Sequence, residues 1–254
     1  MRMATSRLAP PIERNIRFNQ ALHPDRLQVR APRLAVGVLV LVALVQKTID
    51  ATQPGSEVDA GQLYSEFTVE SNLVFGLVLV IAALVPRLRL PSWWDHLFGA
   101  LVFYLVMTGI IYAVLVAPPD EPWWTWDMYW PQMVHHRLAP LFAALDWLLV
   151  TRTVHGRWWR PVAWLAYPVA FLAWSWARGA IDGWYVYDFL DPTLDGGWPG
   201  VFATTAQVLM AFLVIGALVH AAGEGRAALA APRKREKAGS EDPAFSTTRA
   251  RGGT

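Results

Sequence analysis

The sequence has no cysteine, which removes disulfides, thiol nucleophiles and cysteine-ligated metals in one step. Charge is scarce as well. Asp, Glu, Lys and Arg make up 17% of the residues against 54% hydrophobic, too little to coat a soluble domain of this length. The first thirty residues are polar and Arg-rich, without an apolar core leading to a small-residue cleavage site, so no cleavable signal is expected. Lys and Arg are missing altogether from 51–66, 118–131 and 179–200. No internal repeat is visible, which leaves the inverted-repeat transporter plan without support. No HxxxH or HExxH spacing occurs, and two adjacent helical histidines diverge by about 100°, so no metal site and no cofactor is expected.

What is present is apolar sequence in long runs, with 14 tryptophans. Six runs, at about 34–50, 67–86, 96–117, 131–151, 161–180 and 201–222, approach the ~20 residues that span a bilayer core. None alternates as a barrel strand would, so the expected fold is all-α, a polytopic six-helix transmembrane bundle over 33–223. The stretches free of Lys and Arg carry acidic groups, among them Glu57, Asp59, Glu66, Asp120, Glu121, Asp127, Asp182, Asp188, Asp191 and Asp195. The other connections are basic, with Arg87 and Arg89, Arg152, Arg157 and Arg160, then Arg226, Arg233, Lys234, Arg235 and Lys237. This alternation puts both termini in the cytoplasm by the positive-inside rule. Trp93, Trp94, Trp123, Trp124, Trp126, Trp158 and Trp159 stand at the expected boundaries, where indole rings anchor helices. Residues 1–32 read as a basic cytoplasmic tail, with a short surface helix around Ile12–Leu22 as an alternative, and 224–254 as a disordered charged tail.

The run VHHRLAPLFAALDWLLV, residues 134–150, holds His135, His136, Arg137 and Asp146. Each ionisable group in hydrocarbon costs roughly 2.5–3.5 kcal/mol on insertion scales, so such groups mark function by default. His135 and Asp146 are eleven residues apart and share a helical face. That stripe should face the bundle interior, favouring His135 over His136 for chemistry. Asp146 also reads as a structural partner for a polar group on another helix, and Arg137 as snorkelling or pairing with an acidic loop. Thr68, Ser71 and Asn72 share a face of the second run at i, i+3 and i+4. Ser71 and Arg178 have structural readings too, as interhelical glue and as an interfacial anchor. The loop DGWYVYDFLDPTLDGGWPG after the fifth run supplies Tyr185 and Tyr187, membrane-belt residues or site residues, together with Asp188 and Asp191. Polar groups of the second, fourth and fifth runs thus gather near the external end.

These residues resemble the androgen-induced protein family of multi-pass membrane proteins, and more closely its bacterial six-span relatives. The resemblance is carried by FTVESN at 67–72, HHRLAPLFAALDWLL at 135–149 and WLAYPVAFLAWSWARGAIDGWYVYDFLDP at 164–192. It implies hydrolysis of fatty-acyl esters by an intramembrane threonine and histidine. Matched position by position, these are Thr68 and His135, the latter five residues before Pro140; a slip of one residue selects His136. In that reading His135 takes the Thr68 proton, Asn72 stabilises the oxyanion, and Asp188 or Asp191 orients the imidazole. The partner implied is a membrane lipid or lipid ester from the outer leaflet of a bacterial plasma membrane. Nothing points to nucleic acid. The rival reading is non-enzymatic: a small permease, receptor or lipid-binding scaffold, with His135, Asp146 and Arg178 as an ion path.

Overall fold

The computed structural model of the chain describes residues 19–56, 59–119, 121–122, 124–150, 156–194 and 196–230. The N-terminal tail up to residue 18 and the C-terminal tail from 231 lie outside the described residues, as do Glu57, Asp120, Trp123, Arg152 and Asp195.

Every regular element among the described residues is helical. In chain order they are α1 (Leu27–Ala51), α2 (Ala60–Leu63), α3 (Phe67–Leu84), α4 (Trp94–Ile111), α5 (Trp130–Met133), α6 (Ala139–Leu149), α7 (Arg160–Trp164), α8 (Ala166–Asp182) and α9 (Gly197–Ala230). A π-helical turn at Tyr112–Val116 extends α4, and another at Val134–Leu138 joins α5 to α6. Four helices are long and apolar enough to cross a bilayer: Leu27–Ala51, Phe67–Leu84, Trp94–Val116 and Gly197–Ala230. The other two rods fall short for visible reasons. The rod at 130–149 carries His135, His136, Arg137 and Asp146, and the one at 160–182 is interrupted at Leu165.

That interruption follows from Pro168. Proline has no N–H to return to the carbonyl four residues earlier, which is that of Trp164. The freed carbonyl accepts instead from the Tyr104 hydroxyl at 2.8 Å. Pro140 acts similarly on the π turn, because it leaves the His136 carbonyl without a helical donor. The turn closes by a wide bond from Ala139 N–H to Val134 O.

α4 is the centre of the bundle. It packs on α3, α6 and α9 and is buried almost along its length, from Trp94 and Phe98 to Met107 and Thr108. Around it lie Phe67, Phe75, Trp147, Trp164 and Phe212. The closest pairing is α1 on α3. There a Cβ on Gly37 would come within 3.0 Å of the Gly76 carbonyl, so the backbones meet across two glycines. Crossings through small residues are a packing device of membrane helices.

Two boundaries differ from expectation, both where arginines find acceptors inside the fold. α1 begins at Leu27, seven residues before the expected 34, because Arg30 and Arg33 both find acceptors inside the fold. Arg30 donates to the carbonyls of Ala83 and Leu84 at the end of α3, and Arg33 reaches Asp146. α9 runs on to Ala230, so 224–230 is helix rather than tail. Arg226 fixes it by donating to Leu149 O at 3.1 Å and to Asn19 Oδ1 at 2.8 Å.

Candidate active site

α3 starts abruptly. Glu66 precedes it without a side-chain cap, and the helical ladder opens with Glu70 N–H to Glu66 O at 3.1 Å. The N–H groups of Phe67 and Thr68 therefore have no partner within the helix. Phe67 is locked between rings, with Tyr167 at 5.1 Å, Phe171 at 5.3 Å and Tyr104 at 5.7 Å. This wedge fixes Thr68, buried at 6% exposure, in the wall of a cavity.

The cavity encloses about 920 Å³, open mouth included. Its apolar wall comes from α4, α8 and α9, through Met107, Ile111, Phe171, Leu172, Val208 and Phe212. Its polar wall is Glu66, Thr68, Thr108, Gln132, His136 and Tyr187. All of these stand near the same end of the bundle, at the start of α3, the end of α4, the start of the 130–149 rod and the loop after α8.

Of the two histidines, His136 is the one in this wall. Its ring stacks on Tyr112 at 3.9 Å between centroids and reaches the Thr108 carbonyl. Its Nδ1 is buried without a hydrogen-bond partner. His135 is fully buried on another side, with Nε2 at 3.2 Å from the Val40 carbonyl of α1. His135 and Asp146 do both meet α1, so the eleven-residue spacing does put them on one face. That face meets a helix, not the cavity, and the expectation that His135 joins Thr68 is corrected to His136.

Asp146 forms a two-pronged pair with Arg33, Nε to Oδ1 at 2.8 Å and Nη2 to Oδ2 at 2.9 Å, both side chains nearly sealed from outside. Arg137 pairs with Glu121 of the preceding loop at 3.1 Å, and Glu121 also accepts from Tyr112 at 3.0 Å.

The remaining expected residues separate from the cavity. Asn72 donates to the Thr68 carbonyl at 2.9 Å, and Ser71 to the same oxygen at 3.2 Å. The Asn72 amide is thus turned into its own helix and is no oxyanion donor, while Ser71 lines a different groove beside Glu70. Arg178 is held by Asp182 at 3.1 Å and by Ser65, and lies over the Trp184 ring at 4.4 Å. Asp188 is exposed, and Asp191 accepts from the Thr193 backbone at 2.8 Å. Neither lines the cavity, so the orienting carboxylate expected from this loop is withdrawn.

Tyr187 does line it. The loop leaves α8 through Gly183, in the left-handed region at φ 74°, where glycine pays no steric cost. It returns Tyr187 to the cavity wall that also holds Phe67 and Thr68. Burial, and then the Glu66 carboxylate, push this phenol well above its ordinary value, so it stays protonated at neutral pH.

Sequence reasoning missed Gln132, Thr108, Glu66 and Tyr112 in this wall, and Arg33 as the counter-ion of Asp146. Only Arg33 left a signal, a lone arginine opening an apolar run. Among the described residues no cluster of His, Cys, Asp and Glu could hold a metal ion.

No protein-family model, curated protein or solved structure matches this chain. What speaks for function is the cavity itself.

Proposed function

We propose that this chain is a six-span membrane protein, both termini cytoplasmic, that hydrolyses fatty-acyl esters with Thr68 as nucleophile and His136 as its base. The observation that carries the proposal is one cavity holding a buried hydroxyl and a buried imidazole against an otherwise apolar wall. Thr is a weak nucleophile at its own pKa and needs a base nearby; a neutral imidazole nitrogen without another partner suits that task. The apolar wall suits an acyl chain, and the acidic connections at that end suit the outer leaflet. The resemblance of 67–72 and 164–192 to the androgen-induced proteins agrees with this chemistry, and the 135–149 match then takes the register of His136.

The test is a fluorophosphonate hydrolase probe applied to membranes carrying wild type, Thr68→Ala, His136→Ala and His135→Gln. Wild type and His135→Gln should label, whereas Thr68→Ala and His136→Ala should not. Full labelling of Thr68→Ala would remove the threonine from the mechanism.

A permease is the second reading. It draws on a crevice at the other end, lined by Asp25, Arg33, Arg87 and Asp95. Polar groups near both ends are what a transport path requires. Along α3 and α4, however, Phe75, Leu79, Val102 and Leu105 come between the two, each less than 2% exposed. A water-filled path would have to part this layer, so the reading stands second.

A further inference from the structure

An ester hydrolase must stabilise the oxyanion formed when its nucleophile attacks. With Asn72 turned into its own helix, Thr68 needs other donors. The first turn of α3 offers the N–H groups of Phe67 and Thr68, which lack helical acceptors, and Tyr187 stands with Phe67 and Thr68 in the wall of the same cavity. Tyr187 lines the cavity, so its hydroxyl proton can be donated to the contents. The His136 imidazole, 6% exposed and unpartnered at Nδ1, stands in the same wall.

Tyr187 is also held still. Its ring stacks on Phe189 at 5.3 Å and meets Phe171 at 6.3 Å. The fully buried Leu190 anchors the short turn that follows. Preorganised donors of this kind cost no reorganisation at the moment of reaction.

We propose that the Tyr187 hydroxyl, with the backbone N–H groups of Phe67 and Thr68, forms the oxyanion site for the substrate's ester carbonyl. This rests on the Thr68 hydrolase reading and deepens it. In the first step the Thr68 Oγ–carbon bond forms, the carbonyl π pair moves onto oxygen, and the Thr68 proton passes to His136. Tyr187 keeps its proton and donates a hydrogen bond to the new oxyanion. As the tetrahedral centre collapses the ester C–O bond breaks, and the leaving alcohol takes the proton from His136. Water then attacks the acyl-threonine, giving a proton to His136 that returns to Thr68 Oγ as the fatty acid leaves. The same donors serve both steps.

The test compares purified wild type, Thr68→Ala and Tyr187→Phe on a 4-nitrophenyl ester of a medium-chain fatty acid. Tyr187→Phe keeps the ring and removes one donor, so kcat should fall about 10²-fold with KM little changed. A loss of substrate binding instead, seen as a raised KM at wild-type kcat, overturns the assignment. Wild-type kcat in Tyr187→Phe with Thr68→Ala inactive overturns it too while leaving the hydrolase reading intact. Equal turnover by wild type and Thr68→Ala, or none by wild type, overturns both. Site-specific 3-fluorotyrosine at 187 tests the same point without removing the hydroxyl. It should retain turnover, and a loss matching that of Tyr187→Phe would assign the effect to packing and overturn the proposal.

Discussion

Charges are paired at both ends of the bundle, with Arg137 on Glu121 and Lys47 on Glu66 at the Thr68 end, but neutral polar atoms are treated differently. At the Asp146 end charges are matched: Arg33 with Asp146, Arg87 with Asp95 at 2.7 Å, and the Arg87 backbone N–H with Asp25 at 2.8 Å. At the Thr68 end, Gln132 Oε1 and His136 Nδ1 are buried without partners, beside a cavity of substantial size. Burying a polar atom without a partner costs roughly 1–3 kcal/mol. Matched groups hold a fold together; unmatched groups in residues that line a cavity mark where a ligand could bind.

The largest expected effects test that contrast directly. Thr68→Ala or His136→Ala should lower ester turnover by about 10³-fold or more while the protein stays folded, as read from initial rates beside a thermal unfolding curve. Loss of folding in step with loss of activity would erase the distinction between the ends. At the opposite end Asp146→Asn should cost about 3–5 kcal/mol of stability by leaving Arg33 buried and uncompensated. The double replacement Arg33→Met with Asp146→Leu should recover most of it, and unfolding in mixed micelles would measure the recovery. Next in size, Gly76→Val drives a side chain into Leu41 and the Gly37 carbonyl, with an expected loss of about 1–3 kcal/mol and the cavity unaffected. The smallest effect belongs to Asp188→Asn. It should leave turnover as in wild type and stability within about 0.5 kcal/mol; a marked fall in turnover would restore the carboxylate role withdrawn above.

Much of the architecture was legible. Apolar runs locate every long helix, because in lipid only a helix satisfies its own backbone. Helix ends were legible only where charge was unpaired. Arg30 and Arg226 look like tail residues until their acceptors, contributed by α3, by α6 and by Asn19, are known. Within the site, Thr68 and Tyr187 were within reach of reading, since both lie at boundaries where polar residues gather. The choice between His135 and His136 was not. A helical wheel assumes 3.6 residues per turn, and the π turn at Val134–Leu138 departs from that spacing beside these two residues. It also cannot say which face meets α1 and which meets a cavity. Pro140 was visible, yet its consequence for the carbonyl of His136 needs the backbone.

The pairing of Arg33 with Asp146 has a bearing on how the chain is made. The two residues are 113 positions apart, roughly ten seconds of synthesis. Through that interval the opening helix carries a guanidinium whose counter-ion does not yet exist. A long arginine near a helix end can meanwhile keep its head among lipid phosphates. The pair can therefore close only once the Asp146 segment has been made, and closing it ties the first helix of the bundle to one of its later ones.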